Sequence, residues 1–313
     1  MTQPLPAPTP VRVGESPWRL LWRRFLRHRM AVASGVVLAV MAVAALSVPL
    51  IEAELGGAGM SVDLLSRFQP PSAAHPLGTD ELGRDILVRL LYGGRVSLFV
   101  GLTAAVAAAC FGTVVGLLAG YHGGRLDAFL MRFTDGVIAL PLLPLLIVLA
   151  AIDLNKVGVP AGVVASEHVS LYRIVAIVAL VGWTTVARLV RGTALSLRER
   201  PFVRAAEAQG ATAFRIMSVH IMPNLASPII VATTLSVGHV ILLESVLSFL
   251  GLGVQPPIAS WGNLLTNAQD FILDRPLLGF YPGFLIFVTV IAFNFLGDGL
   301  QDALDPRAIE RPR

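Results

Sequence analysis

The sequence predicts an all-α membrane protein with six transmembrane helices, and two observations lead to that fold class. Of the 313 residues, 55% are hydrophobic and only 14% are charged, and the mean hydropathy is +0.74. Soluble domains of usual composition carry about 25% charged residues. Six apolar runs, each long enough to cross a hydrocarbon core of roughly 30 Å, alternate with polar intervals. Most of the chain is therefore expected to lie in a bilayer.

The apolar runs set the order of the elements. Residues 1–17 are rich in Pro and Thr and predict a disordered tail. A basic amphipathic segment follows up to about Met30, in which Leu, Trp and Phe alternate with arginines, as in helices that lie on a membrane face. The predicted spans cover residues 30–51, 96–119, 129–152, 174–190, 228–251 and 281–300.

These spans divide the chain into a tail with the basic amphipathic segment, a first span, an external segment, a core and a carboxyl end, over residues 1–29, 30–51, 52–94, 95–303 and 304–313. Basic residues set the orientation, because 17 of the 24 Lys and Arg fall on one side of the predicted membrane. Both chain ends and a polar loop over 191–226 are therefore expected in the cytoplasm. The net charge of +4 does not indicate a nucleic-acid partner, since the arginines lie between apolar runs and form no basic face.

Residues 201–222 of that polar loop predict two short helices joined by a turn. Pro201 suits the first turn of a helix, and Gly210 can adopt the left-handed conformation that ends one. Thr212 can cap a second helix, which we expect to stop before Pro223 because a proline ring disfavours helix at the residue ahead of it. The apolar side of this second helix would carry Phe214, Ile216, Met217, Val219 and Ile221.

The string from Arg204 to Gly210, RAAEAQG, followed by Met222 and Pro223, resembles the cytoplasmic EAA loop of ABC importer permeases. The resemblance implies a coupling element, a short helix seated in a cleft of an ATPase subunit. Arg204 stands where that family usually has the Glu that names the loop. An ion pair made by that Glu therefore does not carry over to this chain, whereas the geometry of the loop does. The residues that would dock on the ATPase subunit are Arg204, Ala205, Ala206, Glu207, Gly210 and Phe214.

Three further strings resemble the dipeptide, oligopeptide and nickel branch of ABC importer permeases. They are HPLGTDELGRD from His75, FLGLGVQPP with SWGN from Phe249, and LGDGLQDALDPR from Leu296. The resemblance implies a type I permease subunit of an ATP-driven importer of short peptides in the bacterial inner membrane, with nickel or another small solute as the alternative cargo. It also implies a second homologous permease, two cytoplasmic ATPase subunits that bind ATP and Mg²⁺, and an external solute-binding protein.

Three ionisable residues at membrane depth are candidates for the translocation path: Asp135, His239 and Glu244. Such groups are costly in lipid and usually face the bundle interior or a wet path. His239 and Glu244 are five residues apart and so lie about 140° around a helix from each other. The alternative for each is a hydrogen bond to a neighbouring helix.

Other features carry structural expectations. Around residues 82–91, leucines and Ile86 share one helical face and predict an interfacial helix, with Arg84, Asp85 and Arg89 opposite. For His75, Asp80 and Asp85, capping and surface solvation fit better than a metal site, because their spacing matches no ligand pattern. Further expectations are a buried packing role for Cys110, close helix contact at Gly112, Gly116 and Gly120, and an outer-interface anchor at Trp261. Pro141 and Pro144 should bend their span or free backbone carbonyls towards a cavity.

The chain shows no catalytic constellation. Its only lysine is Lys156, so no phosphate-binding P-loop can be written, and no nucleophile elbow or metal-ligand set appears. We therefore expect a non-catalytic subunit that binds no cofactor itself. A channel, or a secondary transporter with Asp135 or Glu244 as a proton site, is the alternative. A secondary transporter should show repeated or interrupted spans, and the sequence shows no internal repeat.

Overall fold

The computed structural model describes residues 17–54, 59–164, 166 and 168–304. No β-strand occurs in these ranges, where only an isolated bridge joins Thr79 to Asp85. The helices, numbered along the chain, are α1 (Pro17–Phe25), α2 (Arg29–Leu46), α3 (Val48–Glu54), α4 (Ile86–His122), α5 (Gly124–Ala139), α6 (Leu142–Ala151), α7 (Ala161–Val164), α8 (Val169–Arg198), α9 (Pro201–Ala208), α10 (Ala213–Arg215), α11 (Met222–Phe249), α12 (Trp261–Gln269) and α13 (Pro276–Leu304), with a π-helical segment at Ile216–Ile221 between α10 and α11.

Five helical stretches are long and apolar enough to cross a membrane, and a bent pair of helices makes a sixth. The five are α2, α4, α8, the continuous stretch Ala213–Phe249 and α13, and the pair is α5 with α6. The predicted all-α fold with six apolar segments is thus confirmed. Helix α4 has 37 residues, which at 1.5 Å per residue span about 55 Å, so it continues past a hydrocarbon core of about 30 Å.

Helices α4 and α8 pack closely because glycines of α4 face the α8 backbone. A Cβ atom at Gly112 would lie 2.4 Å from the carbonyl oxygen of Trp183, and one at Gly116 would lie 2.4 Å from that of Ala187. Gly120 meets the backbone of the same helix one turn further on. A larger side chain at any of these positions would push the two helices apart. The predicted close contact at this glycine series is confirmed.

The predicted third span is broken by a sharp bend. Helix α5 ends at Ala139, α6 begins at Leu142, and their axes differ by 86°. Pro141 has no N–H to continue the helical hydrogen bonds, and Leu140 ahead of it adopts an extended conformation with ψ of 136°. Pro144 lies in the first turn of α6, where a missing donor costs little. The predicted bend is confirmed, and it is far larger than an ordinary proline kink.

The predicted first span, residues 30–51, is not one helix. Helix α2 ends at Leu46, and the separate short helix α3 begins at Val48. Pro49 lacks the N–H that would have continued the ladder past Ser47, and the Ser47 hydroxyl donates to the carbonyl of Ala44 at 3.1 Å. Hydropathy alone did not reveal this break, because both sides of it are apolar.

The prediction of a separate interfacial helix around residues 82–91 is wrong. Residues from Ile86 onward are the first turns of α4, and Leu82 lies in the turn ahead of them. Arg89 is buried and donates to the buried carboxylate of Asp80, and Nε of Arg84 lies 2.8 Å from the same carboxylate. These arginines therefore do not extend towards lipid headgroups. Both guanidinium groups pair with the carboxylate of Asp80. The amphipathic pattern had placed these charged side chains in solvent.

The second helix of the polar loop does not stop before Pro223, contrary to prediction. Helix α10, the π-helical segment and α11 form one continuous stretch. The N–H of Met222 donates to the carbonyl of Met217, which lies five residues earlier instead of four. This wider turn lies directly before Pro223, and it interrupts the regular α-helical hydrogen bonds where proline could not continue them. The loop is therefore joined rigidly to the span that follows it.

Two side chains occupy environments opposite to those predicted. Cys110 is exposed on the outer face of α4 instead of being buried. Trp261 is only 2% exposed instead of anchoring an outer interface, and its Nε1 donates to the carbonyl of Leu90 at 3.0 Å. Lipid and protein interior are both apolar, so the sequence pattern did not separate a helix face towards lipid from one towards the bundle.

The ends of the described chain lie at the same end of the bundle as the polar loop. His28 Nε2 lies 3.7 Å from a carboxylate oxygen of Asp302, which brings the start of α2 next to the end of α13. Nη1 of Arg198 donates to the carbonyl of Tyr121 at 2.8 Å, which brings together the ends of α8 and α4. Helix α12 lies at the opposite end, where Trp261 contacts the first turns of α4.

Candidate coupling loop and translocation cavity

Helix α9 carries the string that resembles a coupling element, with a proline at its start and a hydrogen-bonded glycine turn at its end. Pro201 occupies the first turn. At the other end Gly210 has a φ of +80°, and its N–H donates to Glu207 at 2.9 Å while that of Ala211 donates to Ala206 at 3.0 Å. This is a Schellman ending, which favours glycine because only glycine enters the left-handed region without strain. The predicted helix and glycine turn are confirmed.

Helix α9 presents one face to its own bundle and another outward. Val203 and Ala206 are buried and pack in one apolar cluster with Ile216 and Ile221 of the following helix. On the outward side Ala205, Glu207 and Gly210 are exposed, Phe202 is 43% exposed and Phe214 is 77% exposed. Of the six docking residues predicted from the resemblance, five are thus on the outside of this chain. Ala206 is held inside it.

Arg204 is exposed and pairs with a residue of the same loop. Its guanidinium donates to the carboxylate of Glu199, and both side chains are more than half exposed. The hydrogen bond and the charge of Arg204 hold the pKa of Glu199 below its ordinary value of 4.5. Arg204, which the resemblance aligns with a Glu, is therefore paired with a negative charge of its own loop at neutral pH.

A cavity of about 380 Å³ lies between α4, the bent pair α5–α6, α8 and α11. Its wall is mostly apolar, with contributions such as Ala105, Leu146 and Val181. The polar groups on the wall are Thr184, Thr185, Arg188, Ser236 and His239. A volume of this size with few polar groups on an apolar wall is typical of sites for small molecules. His239, a predicted path residue, lines the cavity.

Asp135, the second predicted path residue, reaches the cavity through an arginine. Nη2 of Arg188, on the cavity wall, donates to Asp135 Oδ1 at 2.5 Å. A second ion pair joins the same two helices, since Arg191 donates to both carboxylate oxygens of Asp127 at 2.5 and 2.6 Å. Helices α5 and α8 are therefore linked by two arginine–aspartate pairs, of which one adjoins the cavity.

Glu244, the third predicted path residue, does not line the cavity and has no exposed surface. It accepts hydrogen bonds from the hydroxyl of Ser248 at 2.7 Å and from that of Ser97 in α4 at 3.2 Å. Those hydroxyls accept in turn from the backbone N–H groups of Val254 and Trp261. The acid thus connects α11, α4 and the segment that leads into α12.

The acidic residues before α4 form caps and ion pairs. Asp85 accepts from the N–H of Val88 at 2.9 Å, which caps α4, and His75 Nδ1 lies 3.0 Å from its other oxygen. The predicted capping is confirmed, whereas surface solvation is wrong for Asp80 and Asp85, each 2% exposed. Across the described part of the chain, no three His, Cys, Asp or Glu residues are placed to hold a metal ion.

Sequence reasoning missed three residues of these sites: Arg188, Ser97 and Ser248. A signal existed for Arg188, since it is three residues from Arg191 and the two share a helix face at the end of a predicted span. Serine is too common in membrane helices to attract notice on its own. The pairing of Ser97 with Glu244 joins residues 147 apart in the sequence, and periodicity does not predict such contacts.

The fold and this site define an α-helical integral membrane protein with a polar helical loop at one end of its bundle. The family model described as "Binding-protein-dependent transport system inner membrane component" matches residues 112–310, and that described as "N-terminal TM domain of oligopeptide transport permease C" matches residues 16–71. The chain therefore belongs to the family of binding-protein-dependent transport system inner membrane components and has the type I ABC importer permease fold.

Curated relatives are similar to this chain over almost its whole length. A dipeptide transport system permease protein of Alkalihalophilus pseudofirmus is 38% identical over 96% of this chain and 94% of its own. A glutathione transport system permease protein of Pectobacterium atrosepticum is 39% identical over 93% and 92%. An oligopeptide transport system permease protein of Bacillus subtilis is 35% identical over 93% and 90%. The similarity thus includes the loop and the cavity.

Proposed function

We propose that this chain is a permease subunit of an ATP-driven importer that moves short peptides across the bacterial cytoplasmic membrane. The observation that carries the substrate class is that relatives similar over more than nine-tenths of this chain are named for dipeptide, glutathione and oligopeptide transport. Nickel or another small solute is the alternative cargo. In this proposal the subunit is not catalytic, and ATP and Mg²⁺ bind to partner ATPase subunits.

The partners in this proposal are a second homologous permease, two cytoplasmic ATPase subunits and an external solute-binding protein. The loop over residues 201–222 is the contact with an ATPase subunit. Its exposed apolar side chains, Phe202 and Phe214, support that assignment, because large apolar groups outside the membrane are unfavourable unless a partner covers them. Both chain ends would then lie in the cytoplasm, on the side of the loop.

The continuous helix suggests how movement of the loop would reach the cavity. The stretch Ala213–Phe249 begins at the loop and passes the cavity wall at Ser236 and His239 without a break. Helix α9 is fixed to this stretch by the buried contacts of Val203 and Ala206. If closing ATPase subunits displaced α9, the continuous stretch would act as a rigid lever and would move the cavity wall.

A proton-coupled secondary transporter is the less supported alternative. Transporters built from repeats interrupt corresponding spans in both halves of the chain. The bent pair α5–α6 is a sharply interrupted span, and the described residues contain one pair bent this strongly. Glu244, a candidate proton site, is enclosed by hydroxyl donors and has no exposed surface.

Two glycines in the same motif provide a matched test of coupling. Gly210 ends α9, and Gly251 ends α11 at the other end of the bundle, each with positive φ and the same pair of backbone hydrogen bonds. We expect Gly210→Val to abolish co-purification of the ATPase subunit and peptide uptake, because valine is strained in that conformation. Gly251→Val should carry a similar strain and keep the ATPase subunit. Normal uptake by Gly210→Val, or equal loss of the ATPase in both variants, would contradict the coupling assignment.

A further inference from the structure

The cavity contains one permanently charged group. Among the described residues on its wall, Arg188 is the only Arg, Lys, Asp or Glu, and the remaining polar groups are two threonines, one serine and one histidine. An unpaired charge at membrane depth is costly, so such a group is normally satisfied by a partner or marks a pathway for a polar solute. What pairs with Arg188 in this structure therefore bears on what it could bind.

The partner of Arg188 is a carboxylate that it could exchange. Asp135 Oδ1 accepts from Nη2 at 2.5 Å, and the two side chains are 50% and 56% exposed. Neither side chain is enclosed by the rest of its own chain, so packing does not lock the two charges together. Guanidinium is also the side chain best suited to carboxylates, since its planar donors match two carboxylate oxygens. Replacing one carboxylate by another at Arg188 would conserve the interaction.

We propose that Arg188 binds the carboxylate terminus of the transported peptide in this cavity and that Asp135 pairs with the guanidinium when no peptide is present. This inference rests on the proposed function and names the part of the substrate that the cavity recognises. Arg188 is the specificity-determining residue, and the carboxylate of Asp135 takes the place of the peptide carboxylate in the empty cavity.

The rest of the cavity fits such a solute. Its volume of about 380 Å³ falls in the usual range for small-molecule sites, roughly 300–1,000 Å³. The wall is formed largely by aliphatic side chains of α4, α6, α8 and α11, which accept side chains of different shape through non-directional contacts. A terminal carboxylate is common to all linear peptides. Recognition of that constant group allows one site to admit many sequences.

The second ion pair between the same helices provides an internal control. Arg191 binds Asp127 through two nitrogen–oxygen contacts, and neither residue is on the cavity wall. Asp127 is also more enclosed than Asp135, with 14% of its side chain exposed against 56%. This pair has the geometry of a structural link, so its loss should affect stability without changing the preference between solutes.

The first experiment compares uptake of one dipeptide with a free carboxylate and the same dipeptide as its amide, by the reconstituted complex with its binding protein. We expect Arg188→Gln to lower uptake of the acid by about tenfold relative to the amide, the order expected for a lost hydrogen bond to a charged group. Each variant is compared with the unmodified complex, so the preference of the binding protein cancels. Arg191→Gln should leave the ratio unchanged, and Asp135→Asn should keep the preference for the acid. An equal effect of Arg188→Gln on both peptides would overturn the proposal.

The second experiment needs neither transport nor binding protein. Cys110 is the only cysteine of the chain, so Thr185→Cys in a Cys110→Ala background places one reactive thiol on the cavity wall. The acid dipeptide should slow maleimide labelling of this thiol more than the amide does, and Arg188→Gln should remove the difference. Equal protection by both dipeptides would refute the carboxylate site. If the complex showed no uptake but the acid dipeptide still protected the thiol better than the amide, the importer function would be contradicted. The carboxylate site at Arg188 would still be supported.

Discussion

Glu244 shows how an acid can be buried among membrane helices. A carboxyl group without partners would be strongly unfavourable there. Ser97 and Ser248 supply a hydroxyl donor to each of its oxygens, and each hydroxyl accepts from a backbone N–H in turn. Every polar atom in this chain of contacts thus has a partner. The placement favours a packing role for Glu244 over direct contact with the solute.

Substitutions at Glu244 separate these roles. We expect Glu244→Gln to retain complex yield and uptake, because an amide can still hydrogen-bond to both serines. Glu244→Leu should lower stability by about 1–3 kcal/mol, since it leaves the serine hydroxyls without their acceptor. Thermal unfolding of the purified chain in detergent measures the difference. A stable Glu244→Leu chain with normal uptake would exclude both roles, whereas altered uptake by a stable Glu244→Gln chain would favour contact with the solute.

The position of Arg204 allows two roles, an ion pair within its own loop or a contact with a partner subunit. Its pair with Glu199 is exposed, and the lowered pKa of Glu199 means that the pair exists at neutral pH. A carboxylate with a depressed pKa stabilises the folded loop above its ordinary value of 4.5 and loses that effect as the pH falls through the lowered pKa. Acidification should therefore break the pair only below pH 4.5.

Two variants distinguish the uses of Arg204. If an acidic surface of the ATPase subunit meets Arg204, Arg204→Glu should weaken co-purification of that subunit, while Glu199→Gln should leave it intact. If Arg204 only holds the loop, the two variants should have similar small effects. Pull-down of the ATPase subunit at neutral pH provides the measurement. Unchanged co-purification in both variants would indicate an arginine that serves neither purpose.

At the scale of elements, helix α9 places two adjacent alanines in different environments. Ala206 is 8% exposed and packs with Val203 against the bundle, whereas Ala205 is exposed. The resemblance treats both as docking residues, and the helix geometry separates them because neighbouring residues point about 100° apart. Contact between α9 and an ATPase subunit would therefore depend on Ala205, and attachment of α9 to its own bundle on Ala206.

Arginine substitutions at the two alanines test this division. We expect Ala205→Arg to block docking by the bulk of its side chain, with the chain as stable as before. Ala206→Arg should lower the thermal stability of the chain itself, because a charged side chain enters an apolar cluster. Ala205→Arg should thus lower ATPase co-purification and keep the unfolding temperature, whereas Ala206→Arg should lower the unfolding temperature. A loss of stability in Ala205→Arg alone would show that the faces are reversed.

At the scale of the whole molecule, the crossing helices place loops at two ends of the bundle. Phe214, 77% exposed, marks the end with the polar loop, and Leu273, 95% exposed, lies between α12 and α13 near the opposite end. The excess of Lys and Arg on the side of the loop favours the cytoplasm for that end. This assignment of sides is a prediction, because the arrangement of helices is the same in either orientation.

Single cysteines at these two positions test the orientation. In a Cys110→Ala background, Leu273→Cys should react with a membrane-impermeant maleimide in intact cells. Phe214→Cys should react only after the membrane is permeabilised, because the loop would face the cytoplasm. Labelling in the opposite order would invert the topology and remove the basis for ATPase docking at the loop.

The sequence by itself determined the fold class, the number of apolar segments, the bend at Pro141 and the glycine turn of the loop. Each depends on properties that are local in the chain, namely apolar length, a missing N–H and the φ values open to glycine. The glycine spacing in α4 likewise predicted close helix contact, which occurs against α8. The strings that resemble ABC importer permeases gave the family.

Only the tertiary structure decided which faces meet. It buried Trp261 and the pair of Arg89 with Asp80, exposed Cys110, enclosed Glu244 between serines, and brought Arg188 to Asp135 on the cavity wall. Hydropathy predicts that a segment leaves water, but lipid and protein interior are equally apolar, so it does not predict which side of a helix faces which. Contacts between residues 53 or 147 apart, as for Arg188 with Asp135 and Ser97 with Glu244, arise only when the helices are assembled.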